Sequence, residues 1–106
     1  MVHPLYKVVW LKVVSPYTLE IGFDDQKKQI INFESVLYGE MYAPLRDPSV
    51  FNRVVIDPEI HTIVWPNGAD FDPVILHDWG NYSHELVQRA QEWDSVMNHI
   101  GGQTNP

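Results

Sequence analysis

The stretch Val64-Trp65-Pro66-Asn67-Gly68-Ala69-Asp70-Phe71-Asp72-Pro73 constrains the fold of this chain more than any other. Trp65 precedes a proline and is biased toward extended geometry. Asn67-Gly68 is a strong turn dipeptide, because both residues tolerate positive φ. Asp72-Pro73 reads as a helix N-cap followed by proline at the first helical position. The carboxylate accepts from free helix amides, and the amide that proline lacks would have had no partner. A strand therefore ends at Trp65, a tight turn follows, and a helix starts at Pro73.

Upstream, β-branched and aromatic residues from Tyr6 to Val14 place apolar groups on both faces, which predicts an interior strand. Ser15-Pro16 breaks that run. Tyr17, Leu19, Ile21 and Phe23 then alternate with Thr18, Glu20 and Gly22, the pattern of a half-buried antiparallel strand. The Asp24-Asp25-Gln26 turn and a third strand over Lys27 to Ile31 complete a hairpin. Asn32 to Gly39 is expected to form a short helix, capped by Asn32 and ended by Gly39. Met41 to Leu45 is expected to be irregular, and Asp47-Pro48 starts a helical turn reaching Phe51. Arg53 to Asp57 and His61 to Trp65 read as a second hairpin, and Pro73 to His77 as a short helix closed near Gly80.

Beyond Tyr82 the period becomes helical. Leu86, Ala90, Trp93, Met97 and Ile100 recur at spacings of four and three, widened by Val87 and Val96, to about His99. A helix of this length is marginal alone in water, so its stripe must dock on its own sheet or on a second chain. The expected organisation is a sheet domain over 1–80, a helix over 81–100 packed on it or on a partner, and a mobile tail over 101–106. The fold class is α+β, with about five mainly antiparallel strands in two hairpins, short connecting helices and a longer C-terminal helix.

Charge narrows the function. Fourteen acidic and 7 basic residues leave a formal charge of −7 on 106 residues. Lys and Arg are dispersed, so direct nucleic-acid binding, which needs clustered cations, is not expected. There are no cysteines, which excludes disulfides, thiolate nucleophiles and cysteine-based zinc sites. No apolar run approaches the roughly 20 residues needed to span a bilayer. The first residues lack the basic flank and apolar core of a signal peptide, so a cytoplasmic location and no membrane are expected.

The residues also carry a resemblance. They run through a strand pair with a Phe23-Asp24-Asp25 turn, Val36-Leu37 before Gly39, Ala43-Pro44-Leu45, Phe51 before a hairpin, and Ile63-Val64-Trp65-Pro66-Asn67-Gly68-Ala69-Asp70. Over roughly Leu5 to Leu76 the chain resembles small bacterial proteins grouped as domain-of-unknown-function family 2442. That resemblance implies an α+β domain of mostly antiparallel strands. Members often stand alone, some precede a repressor-like helix-turn-helix, and some are encoded beside small partner proteins in toxin–antitoxin-like arrangements. It brings no catalytic residues. The chain departs from the pattern in its Asp-Asp-Gln turn, which lacks a glycine, and in the segment after Leu76, which is too short for a helix-turn-helix domain.

Among chemistry-bearing residues, Asp70 and Asp72 beside Trp65, with His77 following, form a candidate divalent-cation or acid–base corner. Their structural roles compete with this: Asp72 as helix cap, Asp70 as partner of the Asn67-Gly68 turn. His3, His61, His77, His84 and His99 form neither H-x-x-x-H nor H-E-x-x-H, and no serine lies in G-x-S-x-G. Neither G-x-x-x-x-G-K nor G-x-G-x-x-G occurs. Tyr38, Tyr42, Trp79 and Tyr82 lie outside strong core positions, and exposed aromatics anchor partner surfaces.

The reading is a non-enzymatic protein-interaction or regulatory module, the accessory or antitoxin-like half of a protein pair. Its candidate binding residues are Trp65, Asn67, Asp70, Asp72, His77, Trp79, Tyr82 and Trp93. It has no catalytic residue, metal or cofactor, and its partner is a protein or a second copy. The alternative is a small-ligand or divalent-metal binding protein using the Trp65–Asp72 corner.

Overall fold

Gly22 lies in the middle strand of a three-stranded sheet because Trp10, on the neighbouring strand, covers it. A Cβ at Gly22 would stand 2.0 Å from the Trp10 indole nitrogen. The computed structural model describes the backbone of residues 6–104 and the side chains of 6–93. Its first sheet is antiparallel, in the order β1 (Val8–Ser15), β2 (Thr18–Phe23), β3 (Lys28–Asn32). The interior strand is thus β2, not β1. β1 lies at the edge, and its apolar residues Val9, Trp10, Val13 and Val14 are exposed. Double-sided apolarity in β1 reflects Trp10 lying over Gly22 rather than a second covering layer.

The second sheet is a short antiparallel hairpin of β4 (Val55–Ile56) and β5 (Ile63–Val64). It joins the first sheet where the Val8 amide donates to the His61 carbonyl at 2.9 Å. In the connecting turn, Asp57 Oδ1 accepts from the amides of Glu59 and Ile60, which holds its carboxyl below the usual value.

The helix expected over Asn32 to Gly39 is not formed as such. Asn32 Oδ1 does accept from the Glu34 amide, but the result is one 3₁₀ turn, Glu34–Val36. Gly39, at φ 89°, opens the next helix instead of closing this one. The segment expected to be irregular is consequently ordered, as α1 (Gly39–Tyr42) followed by a 3₁₀ turn, Ala43–Arg46. α2 (Pro48–Phe51) and α3 (Pro73–His77) start as read from the sequence. Asp47 and Asp72 cap them by accepting from the Ser49 and Val74 amides. Gly80 does not close α3. Asp78 ends it, and Gly80 falls in the first turn of α4 (Trp79–Thr104).

The core lies between the sheets and the helices. Phe33, Phe51, Trp65 and Phe71 pack with ring centroids 5.2 to 6.1 Å apart, mostly tilted or edge-on, as aromatic quadrupoles favour. α4 docks on this core within the chain. Trp79 meets Phe33 and Phe71, Leu86 and Val87 pack partly buried, and Ala90 is 8% exposed. Of the apolar stripe, Val96, Met97 and Ile100 lie outside the described side chains. The backbone of 101–104 continues α4, and residues 1–5 and 105–106 lie outside the described residues.

Candidate functional site

The Trp65–Ala69 turn builds one side of the site. The Gly68 amide donates to the Trp65 carbonyl, and the Trp65 amide to the Ala69 carbonyl, both at 2.9 Å. Asn67 Oδ1 accepts from the Ala69 amide, and Gly68 takes φ 89°, where a Cβ would be strained. Val64 and Asp70 pair as an antiparallel bridge beyond the turn. The turn is fastened to α1 by two bonds: Asn67 Nδ2 donates to the Met41 carbonyl at 2.9 Å, and the Tyr42 hydroxyl to the Asp70 carbonyl at 2.8 Å.

Between α1 and α4 lies a groove of about 400 Å³. Val36, Phe71, Ile75, Leu86 and Ala90 give it apolar surface. Tyr38, Tyr42 and Trp93 add aromatic walls, and Asp70, Asp72 and Arg89 add charge. Gly39, at the φ of 89° that favours glycine, lies beside α4, with its Cβ position 4.0 Å from Trp93 Cε2 in ordinary contact. Trp93 itself stays 44% exposed. Tyr42 stacks on Phe71 with centroids 5.0 Å apart, and burial first, then the nearby Asp70 charge, push its phenol pKa up.

Of the residues singled out from the sequence, the groove collects Asp70, Asp72 and Trp93. Asn67 ties the turn to α1 at its back. Trp65 is 2% exposed and structural, with Nε1 donating to the Phe51 carbonyl at 2.9 Å. Trp79 belongs to the core, and Tyr82, half-buried on α4, does not line the groove. Tyr38 reads in the sequence as a loop aromatic; its place in the wall depends on α1, which it precedes at the N-cap.

His77 does not join Asp70 and Asp72. Its ring stacks on Tyr6 with centroids 3.6 Å apart, and its nitrogens engage different carboxylates. Nε2 lies 2.7 Å from Asp25 Oδ2, and Nδ1 lies 2.7 Å from Asp78 Oδ1. Both bonds are satisfied together only when both nitrogens carry protons. The carboxylates sit at opposite nitrogens and do not converge on one point. Among the described residues no group of three or more His, Cys, Asp or Glu side chains is placed to hold a metal ion. Nor is any described helix long and apolar enough to cross a membrane.

Fold and site together define a small α+β domain in which the Trp65–Ala69 turn braces one side of a groove. The chain matches, over residues 8–82, the family described as Protein of unknown function (DUF2442), and it belongs to that family. No curated protein and no solved structure matches it. The α4 wall of the groove, from Leu86 to Trp93, lies beyond the matched segment.

Proposed function

We propose that the chain is a non-enzymatic protein-interaction module, the accessory or antitoxin-like half of a protein pair, and that the α1–α4 groove is its contact face. The observation that carries this reading is Trp93. A large aromatic stands 44% exposed at a groove with apolar surface, where truncation of such a side chain typically costs most in binding. Arrangement of the remaining polar groups supports it: Asp72 and Asn67 serve the backbone, and His77 is held between two carboxylates. The module acts in the cytoplasm and does not bind nucleic acid directly, as its dispersed cations suggest.

The test is affinity capture with three forms of the chain: wild type, Trp93→Ala, and Ile60→Ser at an exposed position of the β4–β5 turn. A partner retained by wild type and Ile60→Ser and lost by Trp93→Ala supports the reading, given unchanged circular dichroism. Equal capture by all three overturns it. Sedimentation of the same proteins distinguishes a foreign partner from a second copy.

A further inference from the structure

The charges around the groove are not balanced from within. Asp70 makes no side-chain hydrogen bond or ion pair among the described residues; its backbone pairs with Val64 and its carbonyl accepts from the Tyr42 hydroxyl. Asp72 lies in the same lining, with Oδ1 accepting from the Val74 amide at 2.8 Å. The cation of that lining, Arg89, is paired along its own helix with Glu85 at 2.6 Å. The walls are also suited to a cation. Tyr42 is a neutral phenol with an aromatic face, and Trp93 is the ring type with the strongest attraction for cations. Tyr38 already carries the Arg46 guanidinium 4.7 Å above its ring.

Resting on the interaction reading above, we propose that the groove receives an arginine-bearing segment of a basic partner protein, its guanidinium against Tyr42 and Trp93 and paired with the Asp70 carboxylate. Apolar neighbours of that arginine fill the floor at Phe71, Leu86 and Ala90. A second copy has the wrong sign, since each chain carries −7 and like charges facing across an interface are unfavourable. Arginine suits the site better than lysine because its planar head both stacks on rings and bonds a carboxylate with two parallel donors.

The experiment is an NMR titration of the full chain with the blocked tetrapeptide Leu-Arg-Arg-Leu and with its citrulline counterpart, which keeps the shape and removes the charge. Saturable shifts of the Trp93 indole and the Asp70 and Tyr42 amides are expected. Affinity should be about fivefold or more weaker for the citrulline peptide and for Asp70→Asn, and should fall with added salt. Three results overturn the proposal: equal binding of both peptides, shifts confined to the Trp10 face, or no saturable shift at about 10 mM peptide. Loss of captured partner by Trp93→Ala without arginine-peptide binding rejects the cationic occupant while leaving the interaction module standing.

Discussion

His77 and Asp25 are 52 residues apart in the chain, and Nε2 of one lies 2.7 Å from Oδ2 of the other. This bond fastens the β2–β3 turn to the end of α3. Lys27 Nζ and Gln29 Nε2 reinforce it, each donating to the His77 carbonyl at 2.8 Å. His77 is 7% exposed, stacked on Tyr6 and edge-on to Phe23. His77→Ala should therefore lower stability by about 2–3 kcal/mol, through two lost charge-assisted bonds and a lost ring contact. Urea denaturation measures this, and a loss within error of zero contradicts the fastening role.

Two turns in the chain share one geometry and differ at one decisive residue. In Phe23–Lys27 the Gln26 amide donates to the Phe23 carbonyl and the Phe23 amide to the Lys27 carbonyl, as Gly68, Trp65 and Ala69 do in the other turn. Asp25 Oδ1 accepts from the Lys27 amide just as Asn67 Oδ1 does from Ala69. The left-handed position holds Gly68 at φ 89° in one turn and Gln26 at φ 75° in the other. Gly68→Ala should destabilise by about 1 kcal/mol, more than Asp70→Asn, while Gln26→Gly should leave stability unchanged or raise it by up to about 1 kcal/mol. Tm values of the three variants check the pair, and a Gln26→Gly protein clearly less stable than wild type refutes the strain argument.

Gly22→Ala should displace the Trp10 indole. A Cβ there falls 2.0 Å from Trp10 Nε1 and 2.2 Å from Cε2, so the ring must rotate off the sheet. The expected outcome is a red-shifted tryptophan emission and a loss of about 1–3 kcal/mol. Emission identical to wild type means that Trp10 does not lie over Gly22.

Acid should weaken the fold through three turn and cap carboxylates. Asp25, bonded first by His77 and then by the Lys27 amide, has its pKa lowered from 3.8. So do Asp47, through the Ser49 hydroxyl and amide, and Asp57, through the Glu59 and Ile60 amides. A carboxylate depressed in the folded state binds fewer protons there than when unfolded. Its contribution is complete above the unfolded value of 3.8 and is lost as pH falls through the folded value. Replacing all three by Asn should flatten the decline of Tm with falling pH in that window. An unaltered acid limb would assign the decline to other carboxylates.

What the chain determined by itself was local. Asp47-Pro48 and Asp72-Pro73 cap helices where they stand, and the Trp65–Ala69 turn forms as its residues dictate. Each depends on bonds between residues a few positions apart, so residue type at fixed spacing is sufficient information. The α+β class was legible for the same reason, since the hairpin strands are neighbours in sequence. Tertiary packing decided the rest. Gly39 opens a helix rather than ending one: at φ 89° it stands first in α1, whose last residue, Tyr42, is bonded to the Asp70 carbonyl 28 residues away. β1 is an edge strand because β2 sits between it and β3, pairing with each on a different side. His77 turned from the Asp70–Asp72 corner to Asp25, a partner 52 residues away that no local pattern marks. The groove exists because α1, the Trp65–Ala69 turn and α4 meet in space, and contacts between distant segments depend on how the whole core packs.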